Sequence, residues 1–286
     1  MAIMTPPFPK PRAVPHDAAS PPDASPHVPT RTRNAARAAW LAPLALGAAL
    51  LALWEALTHL AHTSPLILPA PEAVVAALRD GIASGVLLAA ARTTLGESLA
   101  GFALGAAVAL PAGYAVARSR WLGWALQPHL AASQALPAVA LAPLLVVWLG
   151  YGLLPIAMLG ALIGFFPAAI STTLGLRSLD RDVLDAARVD GADRWSLLFH
   201  IELPLALPAI LAGLRTSLTL SVTGAVVGEF VLGTSSLGLG SLLTIALSHL
   251  DTALMFAILV LLALLAAALY GGARLIERQL SYLEQE

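Results

Sequence analysis

Asp185 to Pro204 reads "DAARVDGADRWSLLFHIELP", a polar, helix-forming stretch inside a chain that otherwise has the composition of lipid-soluble material. Of the 286 residues, 58% are hydrophobic and 12% are charged, against a charged share of about 25% in soluble domains. The chain therefore reads as an integral membrane protein, and the polar stretch is the exception to explain. Its chemistry predicts a hairpin. Asp182 to Val189 suits a short helix, with Asp182 as N-cap and Asp185 in the first turn beside the positive end of the helix dipole. Ala186 and Ala187 leave a bare patch that another protein can approach closely. Gly191 stands where a helix ends in the left-handed conformation. Asp193 then caps a second helix, Arg194 to Ile201, presenting Trp195, Leu198 and Phe199, and Pro204 and Pro208 are expected to stop it. On these grounds alone, an ordinary solvated connector fits as well as a docking element.

Composition removes several functions. A net charge of −1 offers no basic face for nucleic acid. The absence of cysteine excludes disulfides, thiolate metal sites and cysteine nucleophiles. The sole lysine, Lys10, lies in "PFPKPRAVP", where no glycine-rich phosphate loop precedes a helix, so the chain carries no such ATPase machinery. An intramembrane protease would need a buried serine–histidine pair or two membrane aspartates. His129 and His249 lie near expected helix ends, and Asp251 is the lone aspartate near a crossing.

Residues 1–39 hold nine of the 21 prolines and no apolar periodicity, which predicts a disordered, Pro/Ala-rich tail. Its length and charge fit a cleaved signal peptide poorly. The membrane domain is expected over 40–286, with a polar loop at 177–208. A crossing needs about 20 mostly apolar residues. Six such segments are expected: Trp40–Leu60, Thr94–Ala117, Leu126–Leu149, Leu153–Gly175, Pro208–Leu232 and Ala253–Gly272. The third and fourth come from the 56 residues between Arg120 and Arg177 that lack any Asp, Glu, Lys or Arg, with "GYG" at 150–152 as their turn. With the tail inside, the inner segments hold 13 of the 16 basic residues, which the positive-inside bias favours. Both termini and the hairpin are then cytoplasmic.

The pattern "DAARVDGADRW…IELPLALP" resembles the coupling loop of bacterial ABC-importer permeases, which opens on a glutamate–alanine–alanine triplet and closes on leucine–proline. Asp185, Ala186 and Ala187 match the triplet, with aspartate for glutamate; Gly191 matches the turn glycine, and Leu203–Pro204 the closing pair. The likeness runs from about Leu46 to Leu280, through "LWEAL", "ILPAPEAVVAAL", "LPAVALAPLLVVWLGYG", "FFPAAISTTLGLRSLD" and "GLG" at 238–240, and is strongest to permeases for nitrate, sulfonate and taurine. The resemblance implies an all-α, six-span, MetI-like permease fold with a cytoplasmic coupling helix, in the bacterial plasma membrane. It implies two permease copies, two copies of an ABC ATPase subunit and an external or periplasmic solute-binding protein. ATP and Mg would be bound by the ATPase and no cofactor by this chain, a non-catalytic subunit. The implied coupling residues are Leu184, Asp185, Ala186, Ala187, Arg188, Gly191, Ala192, Leu203 and Pro204. The implied solute is small and anionic, such as an aliphatic sulfonate, taurine or nitrate. The competing class, an ion-gradient-driven secondary transporter, would show internal repeats, and none is evident.

Other polar residues carry weaker expectations. Gly213, Ser217, Ser221, Gly224 and Gly228 recur at spacings of three and four, which suits close helix packing in lipid. Thr216, Thr219 and Thr223 lie on a neighbouring stripe and, with Glu229, are candidate pathway residues; Glu229 also suits a structural pairing near a helix end. Glu97 is expected in a local ion pair or an interface. His59 and His62 have metal-binding spacing but no evident third ligand, so no metal site is expected.

Overall fold

The computed structural model describes residues 33–60, 63–125, 137–232 and 237–283, with side chains between 45 and 279. The described residues form ten α-helices: α1 (Arg33–His59), α2 (Pro71–Ala83), α3 (Val86–Arg118), α4 (Ala142–Leu149), α5 (Leu153–Arg177), α6 (Arg181–Val189), α7 (Arg194–Leu197), α8 (Leu203–Leu232), α9 (Leu239–Ser248) and α10 (Thr252–Leu283). By contacts the chain divides at Leu50 into Met1–Leu50 and Leu51–Glu286. The described part of the first unit is helical backbone with leucines exposed at 46 and 50.

Four helices among the described residues are long and apolar enough to cross a bilayer: Val86–Arg118, Leu153–Arg177, Arg194–Leu232 and Thr252–Gln279. They correspond to the second, fourth, fifth and sixth expected crossings. The first expected crossing lies within α1, which starts at Arg33 rather than Trp40, because "RNAARAA" is made of helix-forming residues that extend the turn into the expected tail. Residues 1–32 of that tail lie outside the described residues, as does 126–136 of the third expected crossing. The described remainder of that crossing is a 3-10 turn, Ala138–Leu141, followed by α4 with Pro143 in its first turn. The expected turn at Gly150–Gly152 is present, with φ of 77° and 127° at its two glycines. Two helices were not expected as elements: α2, opened by Pro71, and α9, opened after Gly238.

The core is the stack of α3, α5 and α8. In lipid the apolar effect does not press helices together, so association depends on backbones approaching closely enough for van der Waals contact. The sequence provides for this with small residues at the crossings. Gly213, Ser217, Ser221, Gly224 and Gly228 are all buried on the face of α8 that meets α5, as their spacing predicts. A Cβ added at Gly224 would lie 2.5 Å from the Gly160 Cα, and one at Gly105 would lie 3.0 Å from the Ala161 carbonyl oxygen. Neither backbone has room to yield. Thr173 Oγ1 shares its proton between the Ala169 carbonyl of its own helix, at 2.8 Å, and the Gly113 carbonyl of α3, at 3.1 Å.

At the other end of the bundle, Leu87 and Ala90 of α3, Leu239, Leu242 and Ala246 of α9, and Ile258 of α10 form an apolar cluster. Trp54 Nε1 donates to the Pro69 carbonyl at 3.0 Å, and the Trp54 ring lies 5.6 Å from that of Phe256.

Gly224→Val is expected to lower stability by about 1–3 kcal/mol, the range for overpacking a filled site. Gly271→Ala, inside α10 with nothing within 4 Å of the added carbon, is expected to leave it unchanged or raise it by up to about 1 kcal/mol, because alanine is the better helix former. Thermal melting of the purified protein in detergent, followed by tryptophan fluorescence, checks both; equal melting would refute the packing assignment.

Candidate functional site: a hairpin rooted in the bundle

The polar stretch folds as a helical hairpin whose ends are fixed by side chains close in sequence. Helix α6 is capped by Asp180, whose carboxylate accepts from the Asp182 N–H at 3.0 Å. The cap is thus two residues earlier than Asp182, which falls in the first turn; Ser178 ends the preceding helix and leaves Asp180 extended, the backbone a cap requires. The far end closes as expected. Gly191 has φ of 91° and donates to the Arg188 carbonyl at 3.1 Å, and the Ala192 N–H donates to the Ala187 carbonyl at 3.0 Å. This crossed pair satisfies carbonyls that a helix end leaves without partners. Only glycine adopts such a φ at no cost. Asp193 caps α7 as expected, accepting from the Ser196 N–H at 3.0 Å.

Beyond α7 the structure departs from the sequence expectation. Pro204 does not stop the helix. A π-helical turn over Leu198–Glu202 joins α7 to α8, so the helix runs from Arg194 to Leu232. The Leu203 N–H reaches back to the Leu198 carbonyl, five residues away, and Pro204 then falls in the first turn of α8. The widened turn shifts the register locally, and such single turns are a known way to break the i→i−4 ladder without ending a helix. Pro208 is likewise inside α8.

The hairpin has two roots, and both grip the last turn of α3. Arg177 at the end of α5 donates to the Val116 carbonyl at 2.8 Å. Arg118, the last residue of α3, pairs with Glu202 in the π-turn. Glu202 is only 2% exposed and Arg118 34%, so the acid is taken out of water and the cation stays partly wet. A buried carboxylate is tolerated only where it is paired. Leu197 is buried beside this root. Sequence reasoning missed Glu202, although an acid at the membrane edge of "IELP" is the kind of residue that must find a cation; nothing in the sequence named Arg118 as that cation.

Away from its roots the hairpin touches little of its own chain. Of the expected coupling residues, Asp185, Ala186, Arg188 and Gly191 are exposed, and Leu184, Ala187 and Ala192 are half-buried. Val189 is 87% exposed and Trp195 66%. Trp195 and Phe199 stack with centroids 6.0 Å apart, and Arg188 pairs with Asp185 one turn before it. Apolar and aromatic side chains held in fixed positions on a polar hairpin are what a protein–protein contact uses. Leu203 and Pro204 belong to the root rather than to this surface.

The candidate pathway residues divide. Thr216 and Thr223 are exposed and Thr219 half-buried on α8, off the face that packs against α5. Glu229 is fully buried. Its Oε1 accepts from Thr94 Oγ1 at 2.7 Å, and its Oε2 accepts from the Gly240 N–H at 2.6 Å, at the start of α9. The Thr94 hydroxyl in turn accepts from the Leu239 N–H at 2.9 Å. The carboxylate thus occupies the positive end of α9 and ties α3, α8 and α9 together, a structural role that leaves it no open space to line. Glu97 is buried in α3. His59 Nε2 lies 3.0 Å from Glu55 Oε1 and 3.4 Å from Glu72 Oε1, acids that the fold brings to it on the exposed surface; His62 lies outside the described residues.

Comparison with known proteins places this architecture. The family described as "Binding-protein-dependent transport system inner membrane component" matches residues 101–282. The riboflavin transport system permease protein RibX of Chloroflexus aurantiacus is 44% identical over 231 residues, covering 81% of this chain and 85% of the relative. The putative aliphatic sulfonates transport permease protein SsuC of Bacillus subtilis is 32% identical over 244 residues, covering 85% and 88%. Among solved structures, an inward-facing conformation of the MetNI methionine ABC transporter superposes with a TM-score of 0.58 at 20% identity, covering 68% of this chain and 95% of that one. The chain belongs to the binding-protein-dependent permease family and is a multi-pass, non-catalytic membrane subunit of an ABC importer.

Proposed function

We propose that the hairpin from Asp182 to Pro204 couples this permease to a separate ABC ATPase on the cytoplasmic side, and that two copies of the chain form the solute pathway. The observation that carries this reading is the contrast between the hairpin's surface and its roots. The outer residues present Val189, Trp195 and Phe199 to solvent, while Arg177 and Glu202 fix both feet to the end of α3. A force applied to such a lever reaches α3, α5 and α8 together. ATP and Mg are bound by the partner, and an external binding protein delivers the solute. Thr216, Thr219 and Thr223 are proposed to face the pathway between copies.

For the solute, the sequence reading is a small anion such as an aliphatic sulfonate, taurine or nitrate, and similarity to the sulfonate relative supports it. A second reading, a larger heteroaromatic solute, is favoured by the 44% identity to the relative named for riboflavin. Binding measurements on the cognate solute-binding protein with taurine, nitrate and riboflavin decide between them.

Two substitutions test the lever. Ala187→Glu is expected to leave the complex inserted and the ATPase active while solute uptake into vesicles falls at least about tenfold, the effect of losing roughly 1.4 kcal/mol at the contact; uptake at the wild-type rate rules the coupling role out. Glu202→Gln removes the charge paired with Arg118. Because Arg118 is partly solvated, the expected cost is about 1–2 kcal/mol, below the 3–5 kcal/mol of a fully buried pair. Hydrogen exchange across residues 198–203 should rise, and unchanged exchange would show that the pair fixes nothing.

A further inference from the structure

The last turns of α1 and the first turn of α2 bring three metal-ligating side chains to one point. Glu55 and His59, four residues apart on α1, share a helical face, and Glu72 stands in the first turn of α2. His59 Nε2 lies 3.0 Å from Glu55 Oε1 and 3.4 Å from Glu72 Oε1, and the three ligand atoms fall within 4.8 Å of one another. A tetrahedral zinc shell, with bonds of about 2.0–2.2 Å, sets its ligand atoms roughly 3.3–3.6 Å apart. Both His59 separations are close to that edge. The two glutamates are exposed, so side-chain rotation alone closes the rest.

The backbone that carries these ligands is fixed without their help. Trp54 Nε1, beside Glu55, donates to the carbonyl of buried Pro69, three residues before Glu72. Thr63 Oγ1 donates to the Leu57 carbonyl at 3.1 Å, and Thr252 Oγ1 donates to the Pro65 carbonyl at 2.7 Å. The ordering cost of binding an ion therefore falls on side chains only. The hydrogen of an imidazole nitrogen is single and cannot serve two carboxylates fully, whereas a divalent ion takes a lone pair from all three groups. The donor set selects the ion. One imidazole nitrogen with two carboxylate oxygens suits zinc and its transition-metal neighbours, while calcium takes about six to eight oxygens. The sequence alone supplied no third ligand beside His59 and His62. Glu72 is 13 positions beyond His59, and the turn between α1 and α2 brings it in.

We propose that Glu55, His59 and Glu72 bind a zinc-type divalent ion that clasps the end of α1 to α2. Lipid does not press α1 onto its neighbours, so a bond of this kind holds that end of the helix in place. The site is independent of the solute and of the hairpin contact. Equilibrium dialysis of the purified full chain, freed of any affinity tag, against Zn²⁺ reads it directly. One zinc per chain is expected. Glu72→Gln and, separately, His59→Ala should each weaken that binding at least about tenfold, the lower bound for losing even a group that only supports a ligand. Melting in the presence of chelator should be the same for all three proteins, because both side chains are exposed. Zinc should also slow hydrogen exchange over residues 55–60 and 71–75 of the wild type, and an equal concentration of calcium should not displace it. Zinc bound equally by the wild type and both variants would overturn the site. Displacement by calcium would overturn the choice of ion, and binding without slowed exchange would overturn the clasp.

Discussion

The whole structure rests on backbone-to-backbone contact where α3, α5 and α8 cross. Bilayer lipid is as apolar as leucine, so nothing expels these helices from their solvent, and they stay together only where the chains come close. Gly105, Gly160 and Gly224 are sites where a methyl group would meet a neighbouring backbone. This constraint makes the three helices a unit. It also leaves the threonine stripe of α8 on another face, available for a second copy or a solute.

A rigid unit of this kind can only be moved from outside if something stiff is attached to it. The hairpin supplies that attachment through local chemistry. Two aspartate caps and one left-handed glycine define its shape, and two arginines define its footing. The π-turn at Leu198–Glu202 has a further consequence: α7 and α8 form one helix, so the exposed hairpin and a membrane span share a continuous backbone. At the opposite end, Glu229 does comparable work for stability, holding α9 on α3 through its two carboxyl oxygens, which accept from Thr94 Oγ1 and the Gly240 N–H.

Much of this was legible in the residues. Composition gave the bilayer, and the periodicity of Gly213 to Gly228 gave the packed face of α8. The hairpin's glycine and its second cap were readable because capping depends on neighbours a few positions away. What escaped the sequence was long-range. That Glu202 would pair with Arg118, 84 positions distant, or Glu229 with Thr94, 135 distant, depends on which helices lie side by side. Pro204 was misread because the π-turn before it lets the helix continue. The short helices α2 and α9 were missed because each is below spanning length.

The absence of cysteine from the chain makes the coupling account open to a direct measurement. A single cysteine at Val189, in the assembled complex in inverted membrane vesicles, can be joined to its surroundings by a short thiol-reactive cross-linker. A covalent adduct between the permease and the ATPase subunit, blocked when a cytoplasm-side thiol reagent is added first, is the predicted result. Failure to form that adduct, together with labelling of the cysteine only from the external face, would contradict the account.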